Sequence, residues 1–276
     1  RGAEEAPGGD GEGLANIALL YLGLGEQEKA ENLLVKALDI NPDSPIALGE
    51  MGGILYEKGE QEKALDYLNR ALEHEQGPRR ALYLSNRALI RKRAGKPDEA
   101  LEDLEEALKI NPRLANPHLL KAEIEAGRKF PEKAAAILEE ALEKVAEPSF
   151  EIHNALHHLY IEFEQYQKAF DILHAYQKAA PADIRGQLAI GEYSLQWHER
   201  YPADKRILEG AHTCFTNALK LEPRNVRALT GYGMTAWFSG DAQAALKIWN
   251  RALEIEPDNQ NVRELIAKMG QRALPE

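Results

Sequence analysis

The chain has 276 residues, 29% of them charged, with a formal net charge of −11 and one cysteine. That balance opposes nucleic-acid binding, which needs a basic face, and the lone Cys214 excludes an intrachain disulfide and a thiolate zinc site. No apolar run reaches the ~20 residues of a membrane-spanning helix, so no direct membrane span is expected.

Residues 1–13 hold five glycines and four acids with almost no apolar side chain, which predicts a disordered acidic tether. A helical period begins at Leu14. In a first unit, 14–44, Leu14, Ile17, Ala18 and Tyr21 share one helical face. Gly25-Glu26 turns the chain, Ala30, Leu34 and Ala37 stripe a second helix, and Asn41-Pro42 ends it. The same two-helix pattern recurs in 45–80 (Leu48, Met51, Gly52, Ala64, Leu68, Ala71) and 81–114 (Leu84, Ala88, Ala100, Leu104, Ala107, Pro112). It continues in 115–149 (Ala122, Ala134, Leu138, Ala141) and 150–183 (Leu156, Tyr160, Ala169, Leu173, Pro181). Two more units follow, 184–225 (Ile190, Gly191, Ala211, Phe215, Ala218, Pro223) and 226–259 (Leu229, Tyr232, Gly233, Ala245, Trp249, Ala252, Pro257). A last helix in 260–276 sets Val262, Leu265, Ile266 and Met269 against Arg263, Glu264 and Lys268, the pattern of a polar cap.

The register is held by one small residue per unit: Ala30, Ala64, Ala100, Ala134, Ala169, Ala211 and Ala245, at intervals of 34, 36, 34, 35, 42 and 34 residues. A helical repeat of that length is the mark of stacked helix pairs. The pattern resembles the tetratricopeptide repeat (TPR) family: a large residue, Leu, Gly or Ala and Tyr in helix A, then Ala, an aromatic or Leu, Ala and Pro in helix B. The resemblance implies an all-α, right-handed α-solenoid of stacked antiparallel helix pairs, a TPR superhelix.

Three departures stand out. The sixth unit is eight residues longer than the usual interval of 34, with the surplus near 197–204, where Trp197 and Tyr201 would sit on a rim insertion. Longer helices with a displaced turn would absorb it. The fifth unit carries His153, His157, His158 and His174. The first two share a helical face but lack the metalloprotease glutamate, since 154 is Asn, so no metal is expected. The third unit concentrates Arg79, Arg80, Arg87, Arg91, Lys92, Arg93 and Lys96. Either the acids of the next helix (Glu102, Asp103, Glu105, Glu106) neutralise them or they dock a carboxylate.

In the TPR family the A helices line a concave groove that meets an extended peptide or a partner helix. Carried over, that implies a lining of Asn16, Leu19, Tyr56, Asn86, Leu89, Lys92, Arg93, Asn116, Leu119, Asn154, His158, Arg185, Arg227, Met234 and Trp237. Glu192 and Thr230 fall on the same face. The five-residue carboxylate clamp of chaperone-binding relatives is not expected, because only Asn86 matches it. The seventh unit is similar to repeats in bacterial TPR proteins of cytochrome c maturation.

These readings predict a scaffold or adaptor that binds a protein or peptide, with no catalytic residue and no cofactor. No phosphate loop or nucleophile elbow is present. An alternative is a self-assembling scaffold of a bacterial envelope complex, of the cytochrome c maturation, pilus or secretion type, through an uncapped first repeat that makes a homo-oligomer. A remoter one is a histidine-based metal enzyme. The compartment, cytoplasmic or periplasmic, is left open, as is any leader, anchor or domain ahead of Arg1.

Overall fold

The computed structural model describes residues 9–201 and 205–272. All regular structure among them is α-helix, and it divides into two compact units, residues 1–147 and 148–276. The first unit holds α1 (Gly9–Gly23), α2 (Gln27–Ile40), α3 (Pro45–Glu57), α4 (Gln61–His74), α5 (Arg80–Arg93), α6 (Pro97–Ile110), α7 (Ala115–Gly127) and α8 (Pro131–Lys144). The second holds α9 (Phe150–Glu162), α10 (Tyr166–Ala179), α11 (Ile184–Arg200), α12 (Lys205–Leu221), α13 (Val226–Phe238), α14 (Ala242–Ile255) and α15 (Gln260–Arg272). Within each unit, consecutive odd and even helices pair tightly, and each pair stacks on the next. Each is an α-solenoid of antiparallel helix pairs.

Helix pairs close because their contact faces are small. Ala18, Ala30, Ala64, Ala88, Ala100, Ala134, Ala169, Ala211 and Ala245 are fully or almost fully buried, which brings backbones together and leaves leucines such as Leu34, Leu68 and Leu104 to fill the seam. Helix starts are fixed by side-chain caps. Ser44 accepts from Ala47 N at 3.4 Å, Ser149 from Ile152 N at 3.3 Å, and Asn225 from Ala228 N at 2.9 Å. The turn inside a pair needs one left-handed residue. Gly25, Gly59, Gly95 and Gly240 supply it with φ of 75°, 82°, 74° and 88°, but Lys129 (66°) and Glu164 (58°) do the same without being glycine.

The structure corrects two expectations. Helix α1 begins at Gly9, inside the segment read as a disordered tether; residues 1–8 lie outside the described residues. Its first turns are tolerated because Gly11 is seated against the end of α2, where a Cβ would come within 3.2 Å of the Ala37 carbonyl and 3.3 Å of Ile40. The surplus of the sixth unit is also not a loop through 197–200. Helices α11 and α12 each run 17 residues, against 13 for α9 and α13 and 14 for α10 and α14, so Trp197 lies on a helix. Residues 202–204 of that expectation lie outside the described residues.

At the far end, α15 buries Val262 and Leu265 with Trp249 while Arg263, Glu264 and Lys268 stay exposed. Cys214 is buried with Leu173 and Ile190, and burial pushes its thiol up to about 11.

Candidate protein-binding surfaces

The odd-numbered helices occupy the A position of each pair. In the first unit, α5 carries most of the basic cluster, and acids from neighbouring helices meet it. Asp103 on α6 is almost fully buried and accepts two hydrogen bonds from Arg87, at 2.6 and 3.0 Å, and one from Arg91 at 2.8 Å. Arg87 also donates to Asn69, and Arg91 to the Glu99 carbonyl. Arg80 pairs with Glu106 at 2.8 Å, Lys96 with Glu99 at 3.3 Å, and Lys92 with Glu123 of α7. These cations are held by internal acids, so the face they leave is less basic than the sequence suggests.

Arg93 is different. It is exposed, and its guanidinium lies 4.9 Å from the centroid of the Tyr56 ring, a cation–π contact worth about 0.5–1 kcal/mol. Tyr56 is half-buried against the core, and its hydroxyl has no protein partner. Nearby on α3, burial raises the pKa of Glu50, with Arg79 pulling it back down. Asn86 and Asn116 are exposed, while Leu89 packs partly on a core cluster and Leu119 is half-buried. On α1, Asn16 is exposed and Leu19 leans on the core.

In the second unit the expected lining gathers around a defined space. A cavity of about 530 Å³ lies among α11, α13 and α15, lined by Glu192, Leu195, Gln196 and Glu199, by Asn225, Val226, Arg227, Thr230, Gly231 and Met234, and by Glu256, Asn259, Asn261 and Leu265. Arg227 donates through two nitrogens to the Glu192 carboxylate. The amides on its rim are fixed by their second role as helix caps. Asn225 receives Ala228 N and donates to Glu222 at 2.8 Å; Asn259 receives Val262 N and donates to Glu256 at 2.7 Å. The result is an apolar floor under amides and carboxylates, which suits an extended chain with one apolar side chain.

The other expected residues fall elsewhere. Trp237 packs edge-on against buried Trp249 at 5.7 Å and belongs partly to the core. Arg185 is tied to Asp183 and Glu151 at the start of α11 and covers the Phe150 ring at 4.9 Å. Its contacts hold the Asp183 carboxyl down at about 2. Asn154 is half-buried, and His158 is exposed beside His157. Tyr201 is exposed and packs on Trp197 at 4.7 Å.

The histidines serve the fold. His153 Nδ1 lies 2.7 Å from the Ser149 carbonyl, and His157 Nδ1 lies 2.7 Å from the Ala169 carbonyl. Burial lowers the pKa of both. Among the described residues no three His, Cys, Asp or Glu side chains gather as a metal-binding group. Sequence reasoning missed Asn225, Asn259, Asn261 and Glu256, because they lie at helix starts and between helices rather than on an A-helix face. For Asn225 and Asn259, their cap positions ahead of α13 and α15 were the available signal.

Family models of the tetratricopeptide repeat match residues 11–44, 43–113, 85–148 and 206–261. A photosystem I assembly protein, Ycf3 of Prochlorococcus marinus (strain MIT 9211), is 46% identical over 55 residues, which cover 20% of this chain and 31% of that protein. The chain spans about a quarter to a third of the length of the curated relatives it matches. Among solved structures, yeast Tom70 superposes with a TM-score of 0.68 at 14% identity, covering 95% of this chain and 54% of that one. PilW, a type IV pilus biogenesis factor, gives 0.59 at 17% identity over 80% of this chain and 98% of that one. At these identities the structures share the fold alone.

Proposed function

This chain belongs to the tetratricopeptide repeat family, and from that premise we propose that it is a non-enzymatic scaffold whose A-helix face holds a segment of another protein. The carrying observation is the cavity among α11, α13 and α15, where Arg227, Thr230 and Met234 from one helix meet Glu192 and the capping amides Asn225 and Asn259. An extended segment would seat an apolar side chain near Met234 and Leu265 and take backbone hydrogen bonds from the amides. Three carboxylates (Glu192, Glu199, Glu256) face one guanidinium there, so the segment carries a Lys or Arg. In the first unit, exposed Arg93 over the half-buried Tyr56 ring offers an A-helix surface of its own.

A phage-displayed peptide library selected on the protein tests this. Selected peptides should be enriched in basic and apolar residues and lose about tenfold or more in affinity for Glu199→Arg and Glu256→Arg variants. Equal binding to both variants would remove the cavity from the account.

One observation favours self-assembly as a second reading. Leu20 is 68% exposed, whereas the same register position in the following A helices is buried, at 2% for Ile54, 1% for Ile90 and 4% for Ile124. Ile17 and Leu24 extend the exposed stripe, so a second copy would cover on α1 what the preceding pair covers on α3, α5 and α7. Sedimentation across a concentration series should show association that Leu20→Glu abolishes; a monomer throughout counts against it.

A further inference from the structure

A hollow of about 650 Å³ lies at the edge of the second unit, where α12 turns into α13 and α14 ends. Glu222, Pro223 and Arg224 of that turn line it, with Ile255 from the end of α14. Asn225, Val226 and Glu256 line both this hollow and the A-helix cavity, so the two spaces adjoin across those three residues. The repeat shows why the edge is open here. At the matching turn of the first unit, Asp43 follows the proline and lies 3.6 Å from His74, the last residue of α4. At the same register positions the second unit has Arg224 and Ile255, which cannot pair, and Ile255 is left half-buried at the hollow.

Pro223, Val226 and Ile255 give the hollow an apolar surface. Glu222 and Arg224 stand beside them with opposite charges, so the space favours no second charge and selects through apolar contact. At the crossing, Asn259 donates to one oxygen of Glu256 at 2.7 Å, and the other oxygen has no partner among the described residues. A partner's Lys or Arg held at Glu256 therefore has apolar ground on both sides, Met234 and Leu265 in the cavity and Pro223 and Ile255 in the hollow. Asn225 donates one amide hydrogen to Glu222 and has a second for a main-chain carbonyl of a chain passing over it. An extended chain can follow such an edge where a straight helix cannot. Resting on the reading of the A-helix cavity as a protein-binding site, we propose that the bound segment crosses the edge of the stack between the α12–α13 turn and the end of α14. There it seats a second apolar side chain over Ile255, so that its recognised pattern is a cation flanked by two apolar residues.

A peptide selected from the library on the whole chain, titrated by calorimetry, tests this. Alanine scanning of the peptide should find two apolar positions, one on each side of its Lys or Arg, each costing about tenfold or more in affinity. Ile255→Asp should cost about as much with the intact peptide, and nothing further once the second apolar residue is already alanine. A photo-crosslinker at that peptide position should label residues 222–224 or Ile255 of the wild-type chain, a readout that stands even where Ile255→Asp fails to fold. A single apolar position, labelling elsewhere, or full additivity of the two losses in a folded variant would overturn the crossing. In that event, a peptide still weakened by Glu199→Arg and Glu256→Arg leaves the cavity reading standing. A library that yields no peptide sensitive to those two variants removes both.

Discussion

Asp103 is the most consequential single residue of the first unit. Asp103 is 3% exposed and its carboxylate closes on two guanidinium groups, so removing its charge leaves half-buried Arg87 without a carboxylate and Arg91 with only Glu99, at 3.4 Å. Breaking such an arrangement on one side costs about 3–5 kcal/mol. Asp103→Asn should therefore lower urea stability by that order, and the added changes Arg87→Met and Arg91→Met should restore most of it. His157 gives a second prediction at this scale. Its pKa is lowered by burial from 6.5, as is that of His153. The unfolded chain then binds protons that the native rings refuse, so stability falls as pH drops below the ordinary histidine value. The urea midpoint should decline between about pH 7.5 and 5.5, with a shallower slope in His157→Gln. Asp183, held at about 2, adds its own loss only below about pH 4. The sequence showed the acids of α6 beside the basic cluster, but not that Asp103 alone points inward. That depends on which side of α6 faces α5.

Among elements, the turns within helix pairs are where sequence and structure part most instructively. Gly25, Gly59, Gly95 and Gly240 mark a left-handed residue openly. Lys129 and Glu164 occupy the same conformation with a Cβ that strains it, and nothing in their residue types announces this. Lys129→Gly and Glu164→Gly should each stabilise the protein, by about 0.5–1 kcal/mol once the freer unfolded chain is counted. Unchanged or lowered urea stability in both would mean that the strain is relieved by contacts of those side chains. Helix positions were legible because one alanine per unit sets the register and prolines stop the B helices. Helix lengths in the sixth unit were harder to read. Eight surplus residues read as an insertion between the two helices, and the extended α11 and α12 show that longer helices absorb most of it. In the early start of α1, Gly11, of a type that usually breaks helices, sits close against the end of α2, where a Cβ would make a tight contact with Ala37 and Ile40.

At the scale of the molecule, repetition made the fold readable and the site only partly so. A repeat fixes which helix face meets its neighbour, and therefore which residues are left to meet a partner. Arg227, Thr230 and Met234 follow from that register and gather at one cavity. Trp237 follows from it too, yet leans into the core beside Trp249, because a large ring on an A helix reaches the next helix of its own pair. The capping amides at Asn225 and Asn259 lie outside the repeat's register altogether, and only folding brings them to the rim. Hydrogen exchange with a library-selected peptide bound reads the central claim most directly. Protection should concentrate on the starts of α13 and α15 and on the α11 segment around Glu192 to Glu199. Protection confined to the outward faces of α12 and α14, with those segments unchanged, would contradict a scaffold that works through its A helices.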